Sequence, residues 1–316
     1  MKARAPGKVV LSGAYAVLRG APALVSAVTR YAEADTSRPA EFVTPEVEVA
    51  LRELGAETAA PWFDASALRA QDAKLGLGSS AAILVASLGA LLAADPTLLD
   101  PSAERDVEGW RRAVYQRALP AHRLAQGGGS GVDVATATWG GTLLARRTAA
   151  DPSGVTPSLQ LDPVALPADL HVELWAMGHP ASTAHFVSAV FELEQTHRAR
   201  FEALLEAQAD GARRAAAAAQ AGDPAGLLVG LKAQRRALDD LGRAAGVPIV
   251  VDELRALVDH VPEDAVLLPA GAGGGDISIY AGRAVSSAAL RQAAARLGMW
   301  KLEAELGAPG LQSLEP

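Results

Sequence analysis

The chain has 316 residues, of which 50% are hydrophobic, 4% aromatic and 21% charged. This length and apolar content are enough for one large or two average domains with aliphatic cores, and they exclude a disordered chain. Because no cysteine is present, disulfides, thiol nucleophiles and cysteine-ligated metal sites are also excluded. The formal net charge of −7 argues against nucleic acid or an acidic membrane as the main partner.

The charge is divided unevenly between the two halves of the chain. Residues 1–150 carry 16 Lys and Arg against 15 Asp and Glu, whereas residues 151–316 carry 13 against 21. If the protein binds an anionic small molecule, its basic groups are expected mainly from the first half. Only five residues are lysines, so a lysine inside a motif is informative.

The N-terminal segment does not predict a targeting signal, since Pro6 and Gly7 stand where an apolar signal core would begin. Residues 75–94 are uncharged over 20 positions, a length that could span a bilayer. They contain Ser and Gly and open with the turn-like GLGSS, which favours a helix buried in a globular domain. We therefore expect a cytoplasmic protein with no membrane partner.

The predicted elements of the first half begin with strands. The apolar runs KVVLSG and ALVSAV predict two of them, and EFVTPEVEVAL alternates like a strand interrupted by Pro45. A long helix is predicted over residues 79–93. A second helix is predicted over residues 103–119, with Pro120 as its end.

The second half predicts mostly helices. Residues 148–169 contain four prolines, which is typical of a connection between two domains, 1–150 and 151–316. The Ala-rich patch RRAAAAAQ predicts an exposed helix. Beyond the connection we predict a strand over 170–177, helices over 183–222, 224–245, 252–260 and 287–297, and a strand–glycine loop–strand unit in AVLLPAGAGGGDISIYAG. Mixed strands and helices in two halves indicate an α+β fold.

The segment KLGLGSSAAILVASLGALL carries the clearest ligand-binding pattern. Gly76 and Gly78 allow close approach of the backbone, and the following helix directs unpaired N–H groups at whatever lies there. Ser79 and Ser80 add hydroxyls that suit phosphate or Mg²⁺. A helix that is merely capped by Gly-Ser remains the alternative.

Two further segments are rich in glycine. LPAGAGGGDISIY has more glycine than a simple turn needs, which favours a backbone that wraps an anion; a flexible hairpin loop is the alternative. In HRLAQGGGSGVDVATATWGG, Asp133 is expected to be partly buried and able to orient a nucleophile or pair with a lysine. The alternative is that Asp133 is an N-cap of the next helix.

Taken in order, three of these segments resemble the motifs of the GHMP small-molecule kinases. They are APGKVVLSGAYAVLRGAPALVSAV at 5–28, GLGSSAA at 76–82 and GAGGGD at 271–276. This family includes galactokinase, homoserine kinase, mevalonate kinase, phosphomevalonate kinase and diphosphomevalonate decarboxylase. The resemblance implies two α+β domains, S5-like and then ferredoxin-like, with the active site in the cleft between them.

Within the family, several segments resemble the phosphomevalonate kinases most closely. Lys74 before GLGSSAA is similar to the lysine of KTGLGSSAA, and AQGGGSGVDVA and GHPAST are similar to AQG…GSGFDVA and G-x-x-A-S-T. Ala14 and His122 stand where mevalonate kinases have a motif-one glutamate and a magnesium-binding glutamate. Both departures point away from mevalonate kinase.

The resemblance also implies roles for individual residues. Catalytic roles fall on Lys8, Lys74 and Asp133, with Lys8 pairing with Asp133. Nucleotide-binding roles fall on Gly76, Leu77, Gly78, Ser79 and Ser80, with Ser80 as the Mg²⁺ ligand. Substrate-binding roles fall on Ser12, Ser130, Gly131, Ser182, Thr183, Gly273, Gly274 and Gly275. The implied cofactors are ATP and Mg²⁺, the implied partner is a small phosphorylated acid, and a homodimer is one possible assembly.

The activity that the resemblance implies is transfer of the γ-phosphoryl group of ATP to 5-phosphomevalonate, giving 5-diphosphomevalonate. The alternatives are mevalonate kinase or another GHMP kinase, diphosphomevalonate decarboxylase, and a GHMP-fold sensor without catalysis. The combination of Lys8, Lys74, Ser80 and Asp133 argues against the sensor.

Overall fold

The computed structural model describes residues 1–55, 58–70, 73–99, 104, 106–150, 157–178 and 183–314. The strands, in chain order, are β1 (Lys2–Ser12), β2 (Ala23–Pro39), β3 (Pro61–Asp64), β4 (Arg69–Ala70), β5 (Ala73–Lys74), β6 (Thr142–Ala150), β7 (Pro157–Pro163), β8 (His171–Ala176), β9 (Ala265–Pro269), β10 (Ile277–Gly282), β11 (Trp300–Leu302) and β12 (Gln312–Leu314). The α-helices are α1 (Pro45–Leu54), α2 (Ser79–Ala94), α3 (Val107–Gln126), α4 (Val132–Trp139), α5 (Thr183–Thr196), α6 (Arg198–Ala221), α7 (Pro224–Ala245), α8 (Asp252–Ala256) and α9 (Ala288–Arg296). The α+β prediction is confirmed.

The larger sheet contains strands from both halves of the chain. Its order is β12-β1-β2-β6-β7, with β3 also paired to β2, and the pairs are antiparallel. The predicted connection over residues 148–169 is therefore wrong in part, because β7 lies within it and pairs with β6. Since β7 and β12 both join this sheet, it does not end at residue 150; the domain boundary itself stays a prediction.

Helix α2 lies at the centre of the first core. Twelve of its 16 residues are buried, because it is apolar on every side and is covered by β1, β2, α1, α3 and α4. Gly89 lets its neighbours approach closely: a Cβ there would lie 2.7 Å from Leu311 Cδ1, and Trp110 Nε1 donates to the Gly89 carbonyl at 3.2 Å. The predicted helix over residues 79–93 is confirmed. No helix in the described part of the chain is long and apolar enough to cross a membrane.

The smaller sheet has the antiparallel order β11-β8-β10-β9. Side chains alternate between its faces, as strand geometry requires. Leu174 and Ile279 belong to the same core as α2, whereas Trp175, Leu267 and Tyr280 belong to a second core that includes residues of α5, α6 and α8. The sheet therefore has apolar packing on both faces.

The predicted roles of two prolines are wrong. Pro45 does not interrupt a strand; it begins α1, where the fixed φ of proline is favourable, and Thr44 accepts a hydrogen bond from Val47 N. Pro120 does not stop α3, which continues through it to Gln126. Packing of α3 against α1, α2 and α4 offsets the one backbone hydrogen bond that Pro120 cannot donate.

The predicted exposure of the Ala-rich patch is wrong in part, because four of its five alanines are buried while its arginines, Ala217 and Gln220 are exposed. Ala215 and Ala219 are buried, because α6 packs along α7 at short range. A Cβ on Gly230 would lie 2.6 Å from Ala215 N, and a Cβ on Gly211 would lie 3.0 Å from Gln234 N. Small residues thus bring α6 and α7 together. The predicted helix over 183–222 is divided into α5 and α6, and the predicted helix over 224–245 is confirmed.

Candidate active site

The centre of the candidate site is an ion pair between β1 and the first turn of α4. Lys8 Nζ lies 3.4 Å from Asp133 Oδ1, and the two side chains are 13% and 30% exposed. Val10, two residues after Lys8, shares a small apolar cluster with Val132, the residue before Asp133. Gly131, not Asp133, is the N-cap of α4, so the alternative role of Asp133 as a helix cap is wrong.

The first glycine loop, residues 75–78 between β5 and α2, passes directly over Lys8. The Lys8 backbone N–H donates to Leu77 O at 2.8 Å, and a Cβ on Gly78 would lie 2.9 Å from Lys8 Cε. Gly76 and Gly78 have φ values of +69° and +74°, which side chains other than glycine rarely adopt. The loop and the lysine are therefore packed as one unit.

The loop leads into α2 without a side-chain cap. Gly78 is the N-cap, and neither Ser79 nor Ser80 uses its hydroxyl to cap the helix. Ser80 Oγ instead lies 3.4 Å from His122 Nε2 on α3. The first backbone N–H groups of α2 thus have no side-chain cap, which leaves the positive end of the helix dipole suited to an anion.

The last glycine loop, residues 271–275, joins β9 to β10 and is anchored on other elements as well. Gly271 N donates to Val10 O at 3.2 Å, and Gly274 N donates to Ile249 O at 3.1 Å. Tyr15, just after β1, donates its hydroxyl to Ala272 O at 2.7 Å. The loop is thus a hairpin connection, but one held by hydrogen bonds to three separate segments.

The two glycine loops meet at Asp276. A Cβ on Gly76 would lie 2.7 Å from both Cβ and Oδ2 of Asp276, so only glycine permits this approach. The Asp276 carbonyl also accepts a hydrogen bond from Met177 N at 3.2 Å, which ties it to the end of β8. Asp276 was not among the predicted site residues, although its position directly after a glycine run is a signal that could have identified it.

The entrance to α4 is supported from α3. Arg123 Nη2 donates to Ser130 O at 3.1 Å, and a Cβ on Gly131 would lie 2.4 Å from Leu119 Cδ1. Burial, together with nearby Arg147, lowers the pKa of the Arg123 guanidinium. These contacts hold the turn that presents Asp133.

The other predicted site residues lie outside this set of contacts. Lys74 is exposed on β5 opposite Arg69, and no side-chain hydrogen bond or ion pair joins it to another described residue. Ser12 is 4% exposed, and its Oγ has no hydrogen-bond partner in the described part of the chain. Thr183 begins α5, and Ser182 lies outside the described residues. The roles assigned to these residues stay predictions.

Comparisons with known proteins show which proteins this chain is similar to in sequence and in fold. No protein-family model matches the chain. The chain is 31% identical over 229 residues to phosphomevalonate kinase from Streptomyces sp. (strain CL190), an alignment that covers 68% of this chain and 59% of that protein. It is 30% identical over 158 residues to mevalonate kinase from Archaeoglobus fulgidus, covering 46% and 52%. The chain thus spans between half and three fifths of the length of these relatives.

Solved structures share the fold along the whole chain. A Lin0012 protein from Listeria innocua superposes with a TM-score of 0.81 at 23% identity, covering 100% of both chains. Phosphomevalonate kinase from Streptococcus pneumoniae, in complex with phosphomevalonate and AMPPNP, superposes with a TM-score of 0.71 at 19% identity, covering 97% and 99%. The fold is the two-domain α+β fold of the GHMP kinases. The chain belongs to the GHMP kinase family, and phosphomevalonate kinase and mevalonate kinase are the members that it resembles.

The contact between the two loops generates a stability prediction. Gly76→Ala should lower the free energy of unfolding by about 1–2 kcal/mol through the left-handed φ, and by a further 1–3 kcal/mol through the clash with Asp276. Gly127→Ala is a matched control, since Gly127 has φ +68° and nothing within 4 Å of an added Cβ. Urea unfolding of both variants measures the difference. Equal losses would contradict the contact.

Proposed function

We propose that this protein transfers the γ-phosphoryl group of ATP to a small phosphorylated acid, with 5-phosphomevalonate as the acceptor. The observation that carries the proposal is the Lys8–Asp133 pair beneath the uncapped N-terminus of α2. The likeness to the Streptomyces phosphomevalonate kinase supports the choice of acceptor. The S. pneumoniae enzyme of the same fold was solved with phosphomevalonate and AMPPNP.

In this proposal the first glycine loop holds the phosphates of ATP. The N–H groups of Gly76, Leu77, Gly78, Ser79 and Ser80 face a polyphosphate at the start of α2, where the helix dipole favours negative charge. Phosphoryl transfer depends mainly on alignment and on neutralising the charge that spreads over the phosphate oxygens. Rigid backbone donors suit both tasks, because they need no reorganisation during the reaction.

Mg²⁺ fits this site as an ion brought with the nucleotide. Mg²⁺ in such enzymes binds through a few protein oxygens, substrate phosphates and water. Among the described residues, no group of three or more His, Asp or Glu could hold a metal ion, so a dedicated carboxylate cage is not part of the proposal. Ser80 Oγ would be the protein ligand. When bound, the ion would neutralise phosphate charge.

The acceptor chemistry sets the role of Asp133. A phosphate monoester has a second pKa of about 6 and is mostly dianionic at neutral pH, so its oxygen can attack the γ-phosphorus without a base. The bond between the γ-phosphorus and the bridging oxygen then breaks, and ADP leaves. Asp133 would chiefly hold Lys8, whose ammonium group would lie between the two anionic reactants. The acceptor would be surrounded by the start of α4, the last glycine loop and three hydroxyl residues. These residues are Ser130 and Gly131, then Gly273, Gly274 and Gly275, and finally Ser12, Ser182 and Thr183.

A second candidate is mevalonate kinase. It is favoured by the 30% identity to the A. fulgidus enzyme and by the carboxylate of Asp133, which could accept a proton from a hydroxyl acceptor. His122, which lies beside Ser80, argues against this candidate, because mevalonate kinases have a magnesium-binding glutamate at that position.

The direct test is an acceptor panel with the purified protein and Mg²⁺-ATP. We expect ADP release with 5-phosphomevalonate, a product heavier by one phosphate, and no CO₂. Mevalonate, diphosphomevalonate and sugars should give little turnover. Preferred use of mevalonate would support the second candidate. CO₂ release from diphosphomevalonate would reject a kinase acting on phosphomevalonate.

Lys74 provides a test of the phosphorylated acceptor. Lys74→Met should raise KM for phosphomevalonate at least about tenfold, the effect of one charge-assisted hydrogen bond, and change any residual turnover of mevalonate much less. Lys2→Met is a matched control, since Lys2 is also a lysine on an N-terminal-half strand and its side chain is 55% exposed. Steady-state kinetics with both acceptors decide. Equal effects on both would remove Lys74 from phosphate recognition.

Asp133 distinguishes the two acceptors through pH. With a phosphate acceptor, the acidic limb of kcat should follow substrate ionisation at about pH 6 in both the wild type and Asp133→Asn. With a hydroxyl acceptor, the loss of a base should cost about 10²–10⁴-fold in kcat and change the limb. If Asp133 acts only through Lys8, the losses from Asp133→Asn and Lys8→Met will not add. A limb that disappears in Asp133→Asn would count against a phosphate acceptor.

A further inference from the structure

Two glutamines far from the sequence motifs form a buried amide pair against the turn that follows β1. Gln208 on α6 and Gln234 on α7 are 0% and 1% exposed. Gln208 Oε1 accepts from Ala16 N at 2.9 Å, and Gln234 Oε1 accepts from Gly13 N at 3.0 Å. The two glutamines also bond to each other. Gln208 Nε2 donates to Gln234 Oε1 at 3.0 Å, and Gln234 Nε2 donates to the backbone carbonyl of Gln208.

The orientation of both amides follows from their partners. Backbone N–H groups only donate, so each side-chain oxygen must point at the turn and each NH₂ group must point away from it. A Cβ on Gly211 would lie 3.0 Å from Gln234 Nε2, so the close packing of α6 on α7 leaves the second amide little freedom. A buried polar network with its hydrogen bonds made specifies one arrangement of the chain.

The turn after β1 is itself hydrogen-bonded to the last glycine loop. Tyr15, between the two tethered residues, is 1% exposed and donates its hydroxyl to Ala272 O at 2.7 Å. Burial raises the pKa of Tyr15 above its ordinary value, so the hydroxyl remains a donor at neutral and moderately basic pH. Asp276 at the end of the loop then contacts Gly76. An unbroken series of contacts thus leads from α6 and α7 to the first glycine loop.

From these contacts we infer that Gln208 and Gln234 are positioning residues, which act through Tyr15 to set the last glycine loop over the acceptor. This inference rests on the proposed function, in which Ser12 beside the turn and Gly273, Gly274 and Gly275 in the loop surround the acceptor. The pair contacts the turn that leads to the loop proposed to surround the acceptor, and it reaches the loop proposed to hold ATP only through the further contact of Asp276 with Gly76. Loss of the pair should therefore weaken acceptor binding more than ATP binding.

The test uses Gln208→Met, which keeps the length of the side chain but removes the acceptor for Ala16 N. Tyr15→Phe breaks the next link, and Gln220→Met on an exposed position of the same helix is the control. We expect Gln208→Met and Tyr15→Phe each to raise KM for phosphomevalonate about tenfold, the effect of one hydrogen bond, with KM for ATP and kcat changed much less. The double variant should show little more than either single effect, because both act on one chain of contacts.

A second readout does not depend on activity. Amide hydrogen exchange of residues 271–275 should become faster in Gln208→Met and in Tyr15→Phe, and should stay at the wild-type rate in Gln220→Met. If Gln208→Met does not fold, Tyr15→Phe still tests the link. Unchanged exchange in the loop, or equal changes in KM for ATP and acceptor, would overturn the inference. A wild type that is inactive with phosphomevalonate but shows the exchange pattern would reject the proposed acceptor and leave the positioning link standing.

Discussion

Lys8 is the residue on which the arrangement of the site depends. Its backbone N–H bonds to Leu77 O, its side-chain stem packs against Gly78, and its ammonium group pairs with Asp133 at 3.4 Å. One residue therefore joins a sheet strand, a loop and a helix. Since the pair is only partly exposed, solvent screens it less than a surface ion pair.

The second constraint is the close approach of other residues to the loop backbones, which glycine permits because it has no Cβ. Gly76 gives room to Asp276 and Gly78 gives room to Lys8, so two side chains from elsewhere in the chain lie directly on the backbone of one loop. Gly273 similarly lets the last loop approach Ile249 O, where a Cβ would lie 2.2 Å away. The density of glycine in both motifs thus serves close contacts within the protein.

Local patterns predicted the elements well where local preference and packing agree. The apolar helix α2 and the strand–loop–strand unit around residues 271–275 appear where the sequence indicates them. The patterns failed where packing prevailed over local preference. Pro120 remains inside α3 because α1, α2 and α4 pack against that helix. Four of the five alanines in the Ala-rich patch are buried because small side chains suit a close contact between α6 and α7.

By itself, the sequence determined the parts of the site that depend on neighbouring residues. The glycines at 76 and 78 allow left-handed backbone, a helix follows them directly, and Asp133 is partly buried after a glycine-rich run. Only the tertiary structure decided that Asp276 contacts Gly76 and that Gln208 and Gln234 hold the turn after β1. Neither glutamine carries a sequence signal, because a glutamine in an Ala-rich helix is ordinary until another part of the chain packs against it. Such contacts join residues far apart in sequence, and their geometry is set by how helices and sheets pack rather than by the preference of any one segment.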